Sequence, residues 1–254
     1  MTASWIRPPA ALSTVDAREL NRHLQDIIMP PPTPLTELNG LRVAVRYGSA
    51  DPGLRIGGDW YSCVPLADGA LVLAVGDVVG HGLPAAGSMS ALRHSCAALA
   101  IAGFEPGELL AALNAVLWQQ PGDAMATAVV AKYRPADGTL TWARAGHPPI
   151  VLAHSSGVRP WYEPPGVMLG VDPDARYPQR VAPLDPGDML LMYTDALVER
   201  RGSSVDEGVT ALVERVRQTL RDDRCGVPDV VERVRPHETN DDACVMAAEP
   251  LPRS

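Results

Sequence analysis

Five aspartates lie in four short blocks, and each block ends or follows an apolar run. The blocks are Gly57-Gly58-Asp59, Gly76-Asp77-Val78-Val79-Gly80-His81-Gly82, Tyr193-Thr194-Asp195 and Asn240-Asp241-Asp242. An apolar run that folds as a buried strand carries its terminal carboxylate to the rim of the core, where the charge is costly unless it meets a partner. Several such carboxylates repel one another unless a cation sits among them, and hard divalent cations favour carboxylate oxygens. The blocks therefore read as one site for two divalent metals in a hydrolase.

Composition narrows the class. An apolar content of 46% suits a globular core, and a net charge of −8 without a basic stripe argues against nucleic-acid binding. Cys63, Cys96, Cys225 and Cys244 are widely spaced and read as free thiols of a reducing compartment. None is followed six positions later by arginine, so the loop of a cysteine-dependent phosphatase is absent. The N-terminus has no signal-peptide character and no apolar run reaches spanning length, so the expectation is a cytoplasmic protein with no membrane partner.

Residues 13–29 read as a helix, with Ser13 and Thr14 as caps and a stripe of Leu20, Leu24, Ile27 and Ile28. Pro30, Pro31 and Pro32 end it. The expected organisation is this helix and a Pro-rich linker over 1–37, a catalytic domain over 38–249 and a tail over 250–254. The uncovered stripe packs on its own domain, on a second copy in a homodimer, or on an upstream regulator.

Beyond Leu41 strands dominate. Leu41–Gly48 alternates; 59–66 and 70–76 form a hairpin about Asp68-Gly69; 124–133 and 139–145 form another about Asp137-Gly138. Further strands are read at 150–154, 158–162, 177–184, 188–193 and 243–248, with Asp185-Pro186-Gly187 as a turn. Helices are read over 84–101, as a buried helix, and over 106–119, 205–221 and 227–235. Helices inserted among hairpins favour an antiparallel β-sandwich with helices packed outside it, an α+β fold, over a doubly wound parallel sheet.

Each acidic block also has a plainer reading. Asp77 is placed rigidly by the run Ala70–Gly76, yet an aspartate here also suits a helix cap. Asp195 would cap the segment 196–199, and Asp59 would be a turn residue. Asp241 and Asp242 begin the last strand, and because neighbours in a strand point oppositely, one of the two is a ligand. His81 is read as a contact to substrate or as the residue setting the turn into the next helix, and His147 as a turn residue. Arg55 suits a phosphate contact or a solvated loop. Val129-Val130-Ala131-Lys132 mimics a kinase strand, but no other kinase motif accompanies it.

Taken together the blocks carry a resemblance. Arg55-Ile-Gly-Gly-Asp59-Trp-Tyr61, Gly76–Gly82 with Pro84-Ala85-Ala86, Ala145-Gly-His-Pro-Pro149, Gly166–Gly170, Asp185–Asp195 and Asn240-Asp241-Asp242 occur in the order seen in bacterial serine/threonine phosphatases of the SpoIIE/RsbU type. The chain resembles that branch of the metal-dependent type 2C (PPM-type) phosphatases over about residues 38–249. The resemblance implies a β-sandwich flanked by helices and two Mn²⁺ or Mg²⁺ ions, with a third as an option. Asp77 would bridge both metals and Val78 would lend its carbonyl. Asp59 would serve one metal, and Asp195 and Asp241, in preference to Asp242, the other. The implied substrate is a phosphorylated anti-sigma-factor antagonist or a similar signalling protein. Ala196 stands where the family usually has glycine, which would alter the metal geometry if that glycine has positive φ. The rivals are a pseudophosphatase binding module of the same fold and a small-molecule phosphoesterase.

Overall fold

The computed structural model describes residues 28–29, 35–48, 57–120, 122–199, 202–222, 224–234 and 242–252. Apart from Ile28 and Met29, the expected helix over 13–29 lies outside these residues, as do Arg55, Asn240 and Asp241.

One sheet joins β1 (Thr36–Leu38), β2 (Leu41–Gly48), β11 (Ala243–Pro250), β10 (Met189–Tyr193), β7 (Ile150–His154) and β8 (Gly157–Trp161), in that order. The other joins β3 (Asp59–Pro65), β4 (Leu71–Val78), β5 (Ala126–Arg134), β6 (Thr139–Ala145) and β9 (Gln179–Pro183). All strand pairs are antiparallel. Helices α1 (Gly82–Ile101) and α2 (Pro106–Trp118) cover the second sheet. Helices α3 (Val205–Thr219) and α4 (Val227–Val234) cover the first. The result is the expected sandwich, helices outside and sheets within.

Burial on both sheet faces explains why the strands read as continuous apolar runs. Along β10, Leu190 and Met192 enter the core between the sheets, while Met189, Leu191 and Tyr193 enter a second core beneath α3 and α4. β11 divides the same way, with Cys244, Met246 and Ala248 on one side and Val245 and Ala247 on the other. Helix α3 begins at a reciprocal cap between Ser204 and Glu207. Helix α1 is less buried than its composition implies: Ala85, Ala86, Met89, Leu92, Cys96 and Ala100 face the core, while Leu83 and Ile101 are exposed.

Two elements differ from the sequence reading. The three-residue strand β1 is too short to show a period. The strands on either side of Asp185-Pro186-Gly187 belong to different sheets, β9 pairing with β6 and β10 with β7 and β11. That turn carries the chain across the sandwich, and its local chemistry is the same as that of a hairpin turn. Lys132, the only lysine, is buried and paired with Glu105 at 2.8 Å, which makes it a core ion pair and not a nucleotide contact.

Candidate active site

The acidic blocks meet at one end of the sandwich. Asp59 opens β3 and stands directly opposite Asp77 near the end of β4. Cross-strand partners present their side chains on one face with Cβ atoms about 5 Å apart, so these carboxylates are neighbours by register alone. Across β4 from Asp77 stands Thr127 of β5. Asp77 does not cap a helix, since the residue before α1 is His81. The exit from β4 uses Gly80 at φ +106 and Gly82 at φ +77, conformations that suit glycine. Gly76 has another purpose: a Cβ there would lie 2.6 Å from the Trp60 ring, so its missing side chain admits the buried indole beneath Asp77.

The Val78 amide donates to the Gly58 carbonyl at 3.1 Å. A Cβ on Gly58 would lie 2.3 Å from the Val78 carbonyl oxygen and 2.8 Å from Asp77 Oδ1. These two oxygens therefore converge on the bare Gly58 backbone. The Asp242 carboxylate lies against Gly57, 1.2 Å from where its Cβ would stand. Asp195 opens a single 3-10 turn, Asp195–Leu197, just after β10. Its carbonyl accepts from the Val198 and Glu199 amides at 2.8 and 2.7 Å.

Asp59 is the most buried acid among the described residues, at 2% exposure. Burial, then the Asp77 carboxylate, then Asp242 and Asp195 hold its pKa well above the ordinary carboxylate range. Opposing them, Thr194 Oγ1 donates to Asp59 Oδ2 at 2.7 Å and itself accepts from the Cys244 amide at 2.9 Å. Thr194 thereby ties the end of β10 and the start of β11 to the start of β3, across the sandwich. A buried carboxylate facing three others is a donor set that a hard divalent cation satisfies. The acids are gathered without closing on one point: among the described residues no three Asp, Glu, His or Cys side chains converge on a single metal position.

The linkage has a direct consequence. With its folded pKa raised, Asp59 binds more protons in the native state than in the unfolded state at pH values above 3.8, so metal-free stability falls as pH rises from there. Asp59→Asn keeps an acceptor for Thr194 and removes the charge. Metal-free Asp59→Asn protein is expected to be more stable than wild type near neutral pH, by on the order of 1 kcal/mol, with the gain shrinking in acid. Denaturant unfolding in a chelator across pH checks this; a variant less stable than wild type at neutral pH would contradict it.

His81 occupies the N-cap position of α1, exposed and without a side-chain capping bond. His147 is buried, and its Nδ1 lies 2.8 Å from Thr127 Oγ1. Thr194, Thr127 and Tyr47, whose hydroxyl receives the Gly57 amide at 3.4 Å, escaped the sequence reading. Only Thr194 carried a signal, as the first polar residue after an apolar run and the neighbour of Asp195.

Ala196 sits within the 3-10 turn, and among described residues Asn39 alone combines a side chain with positive φ. The alanine is therefore unstrained. Ala196→Gly is expected to leave turnover unchanged and to lower stability by about 0.5–1 kcal/mol through added freedom of the unfolded chain. A several-fold rise in turnover would contradict this placement.

With fold and site in view, relatives become informative. The family described as Stage II sporulation protein E (SpoIIE) matches residues 67–250, and the chain belongs to it. Phosphoserine phosphatase RsbU of Bacillus subtilis is 32% identical over 153 residues, 59% of this chain and 45% of that protein. The chain thus spans under half the length of that relative. The RsbU and RsbW domains of Rv1364c from Mycobacterium tuberculosis share 33% identity at a TM-score of 0.72, over 87% of this chain and 62% of theirs. The catalytic domain of the serine threonine protein phosphatase PstP, solved with 2 manganese ions, shares the fold at 13% identity and a TM-score of 0.58, over 82% of this chain and 97% of that one.

Proposed function

We propose that the chain is a Mn²⁺- or Mg²⁺-dependent protein phosphatase that hydrolyses phosphoserine or phosphothreonine on a signalling protein. The observation that carries this reading is the register of Asp59 against Asp77, with the Val78 carbonyl beside them at the same sandwich end. Membership of the SpoIIE family and the similarity to phosphoserine phosphatase RsbU support it.

In this reading residues 38–249 form the catalytic domain and 1–37 precede it. Asp77 would hold both cations, the Val78 carbonyl and Asp59 would serve one, and Asp195 with Asp241 or Asp242 would serve the other. Of that pair, Asp242 has its carboxylate against Gly57, and Asp241 lies outside the described residues. When bound, two divalent cations activate a water for in-line attack on phosphorus and neutralise phosphate charge. The protein's own part is orientation. Thr194 fixes the Asp59 oxygens, β4 fixes Asp77, and the Gly58 backbone leaves Val78 and Asp77 oxygens side by side. Arg55 and His81 are proposed contacts to the phosphoprotein; His81 is exposed beside the site.

The proposed substrate is a phosphorylated anti-sigma-factor antagonist in a partner-switching pathway, which the RsbU relative and the joined RsbU and RsbW domains of the solved relative support. Input would reach the domain through residues 1–37, a second copy or an upstream protein, in the cytoplasm. No helix among the described residues is long and apolar enough to cross a membrane.

Phosphate release is to be compared on a phosphoserine protein, p-nitrophenyl phosphate and a nucleotide, each with Mn²⁺. The reading predicts preference for the phosphoprotein. Preference for the nucleotide would replace it with a small-molecule phosphoesterase, and metal binding without release from any substrate would replace it with a binding module.

A further inference from the structure

One buried group near the acids has no part in the reading above. His147, at 3% exposure, follows β6 and has neighbours in both sheets, Thr127 of β5 and Tyr193 of β10. Its Nδ1 meets Thr127 Oγ1 at 2.8 Å. Its own carbonyl accepts from the Arg144 guanidinium, which also donates to the carbonyls of Tyr162 and Pro164 and so pins this loop. The Tyr193 backbone carbonyl lies close enough to the ring to favour its protonated form, but burial prevails and pushes the pKa down to about 3. The ring is therefore neutral. A neutral imidazole has one donor and one acceptor nitrogen. With a carbonyl as one neighbour and a hydroxyl as the other, these neighbours assign the proton to Nε2 and leave Nδ1 to accept from Thr127. Nε2 completes no hydrogen bond among the described residues.

The placement matters because of what stands on either side. Thr127 is the cross-strand partner of Asp77, on the same face of the same sheet. Tyr193 immediately precedes Thr194, which holds Asp59, and Asp195. We propose that His147 is a positioning residue for the acid cluster: through Thr127 it fixes the flank of Asp77, and through its seat against β10 it sets the spacing between Asp77 and the strand that delivers Thr194 and Asp195. This rests on the di-metal reading above. A histidine that only filled the core would affect stability and leave metal affinity alone. One that positions ligands affects metal affinity first, as groups behind metal ligands do.

The test uses His147→Leu, His147→Asn and Thr127→Val, each measured for Mn²⁺ affinity by calorimetry, for thermal stability, and for phosphate release against Mn²⁺ concentration. His147→Leu is expected to weaken Mn²⁺ binding about 10-fold or more. It should raise the metal concentration for half-maximal release, with release at saturating metal within about threefold of wild type. Asparagine places an acceptor near the position of Nδ1, so His147→Asn should recover most of the affinity. Thr127→Val removes only the hydroxyl and should reproduce the leucine effect in a folded protein. Wild-type Mn²⁺ affinity in Thr127→Val would overturn the proposal, also where His147→Leu fails to fold. Absence of Mn²⁺ binding by the wild type would instead overturn the di-metal reading, and this proposal with it.

Discussion

Asp77→Asn is expected to fold and to lose roughly three orders of magnitude in metal-dependent phosphate release, the scale on which enzymes lose a charge-stabilising group at the reacting centre. β4 is buried on both faces up to Val75, and Asp77 lies in register with Asp59 on one side and Thr127 on the other. The side chain therefore cannot leave the cluster without breaking strand pairing. Asparagine preserves the shape, halves the oxygen donors and turns an amide toward the cations. Because Asp77 is the largest charge acting on Asp59, the metal-free variant should be at least as stable as wild type. Release within about tenfold of wild type would remove Asp77 from the centre of the account.

Gly58→Ala is expected to damage fold and site together. Its Cβ would sit 2.3 Å from the Val78 carbonyl oxygen and 2.8 Å from Asp77 Oδ1. Relief requires moving the Val78 carbonyl, whose peptide unit is held by the Val79 amide donating to the Met125 carbonyl at 2.9 Å and by the β4–β5 ladder. Overpacking of this kind costs about 1–3 kcal/mol. Since both crowded oxygens are proposed ligands, Mn²⁺ affinity should also fall by about 10-fold or more. Gly57→Ala is the comparison for stability alone: the atoms nearest its Cβ belong to the end of the Asp242 side chain and not to backbone, so the stability loss should be smaller. Denaturant unfolding with and without Mn²⁺ measures stability and affinity. Equal loss of metal-free stability in the two variants would mean that the Gly58 backbone contact is not the source of the strain.

Much of this architecture was legible because both faces of each sheet are buried. Continuous apolar runs mark the strands, and an aspartate at the end of such a run is placed by the strand itself, as with Asp77 and Asp195. The order of strands within the sheets was not legible. Asp185-Pro186-Gly187 has the same turn chemistry whether it closes a hairpin or crosses the sandwich. The hydrogen bond from Thr194 to Asp59 spans 135 positions, and no local pattern encodes such a contact. The surroundings of His147 were hidden for a related reason: a Gly-His-Pro-Pro segment reads as a turn, and only the tertiary fold brings Thr127 to its ring. Nor was the need for Gly76 legible, since its bare Cα makes room for Trp60. The effect of Ala196 depended on a backbone angle that composition does not carry, and the angle proves ordinary for alanine.

The most direct test of the central claim is phosphate release from a phosphoserine protein, measured in chelator, after Mn²⁺ is restored, and again with Asp77→Asn under the restored metal. The account predicts no release in chelator, full recovery with Mn²⁺ and a loss of roughly three orders of magnitude in the variant. Release that persists in chelator, or stays within about tenfold of wild type in Asp77→Asn, would contradict it.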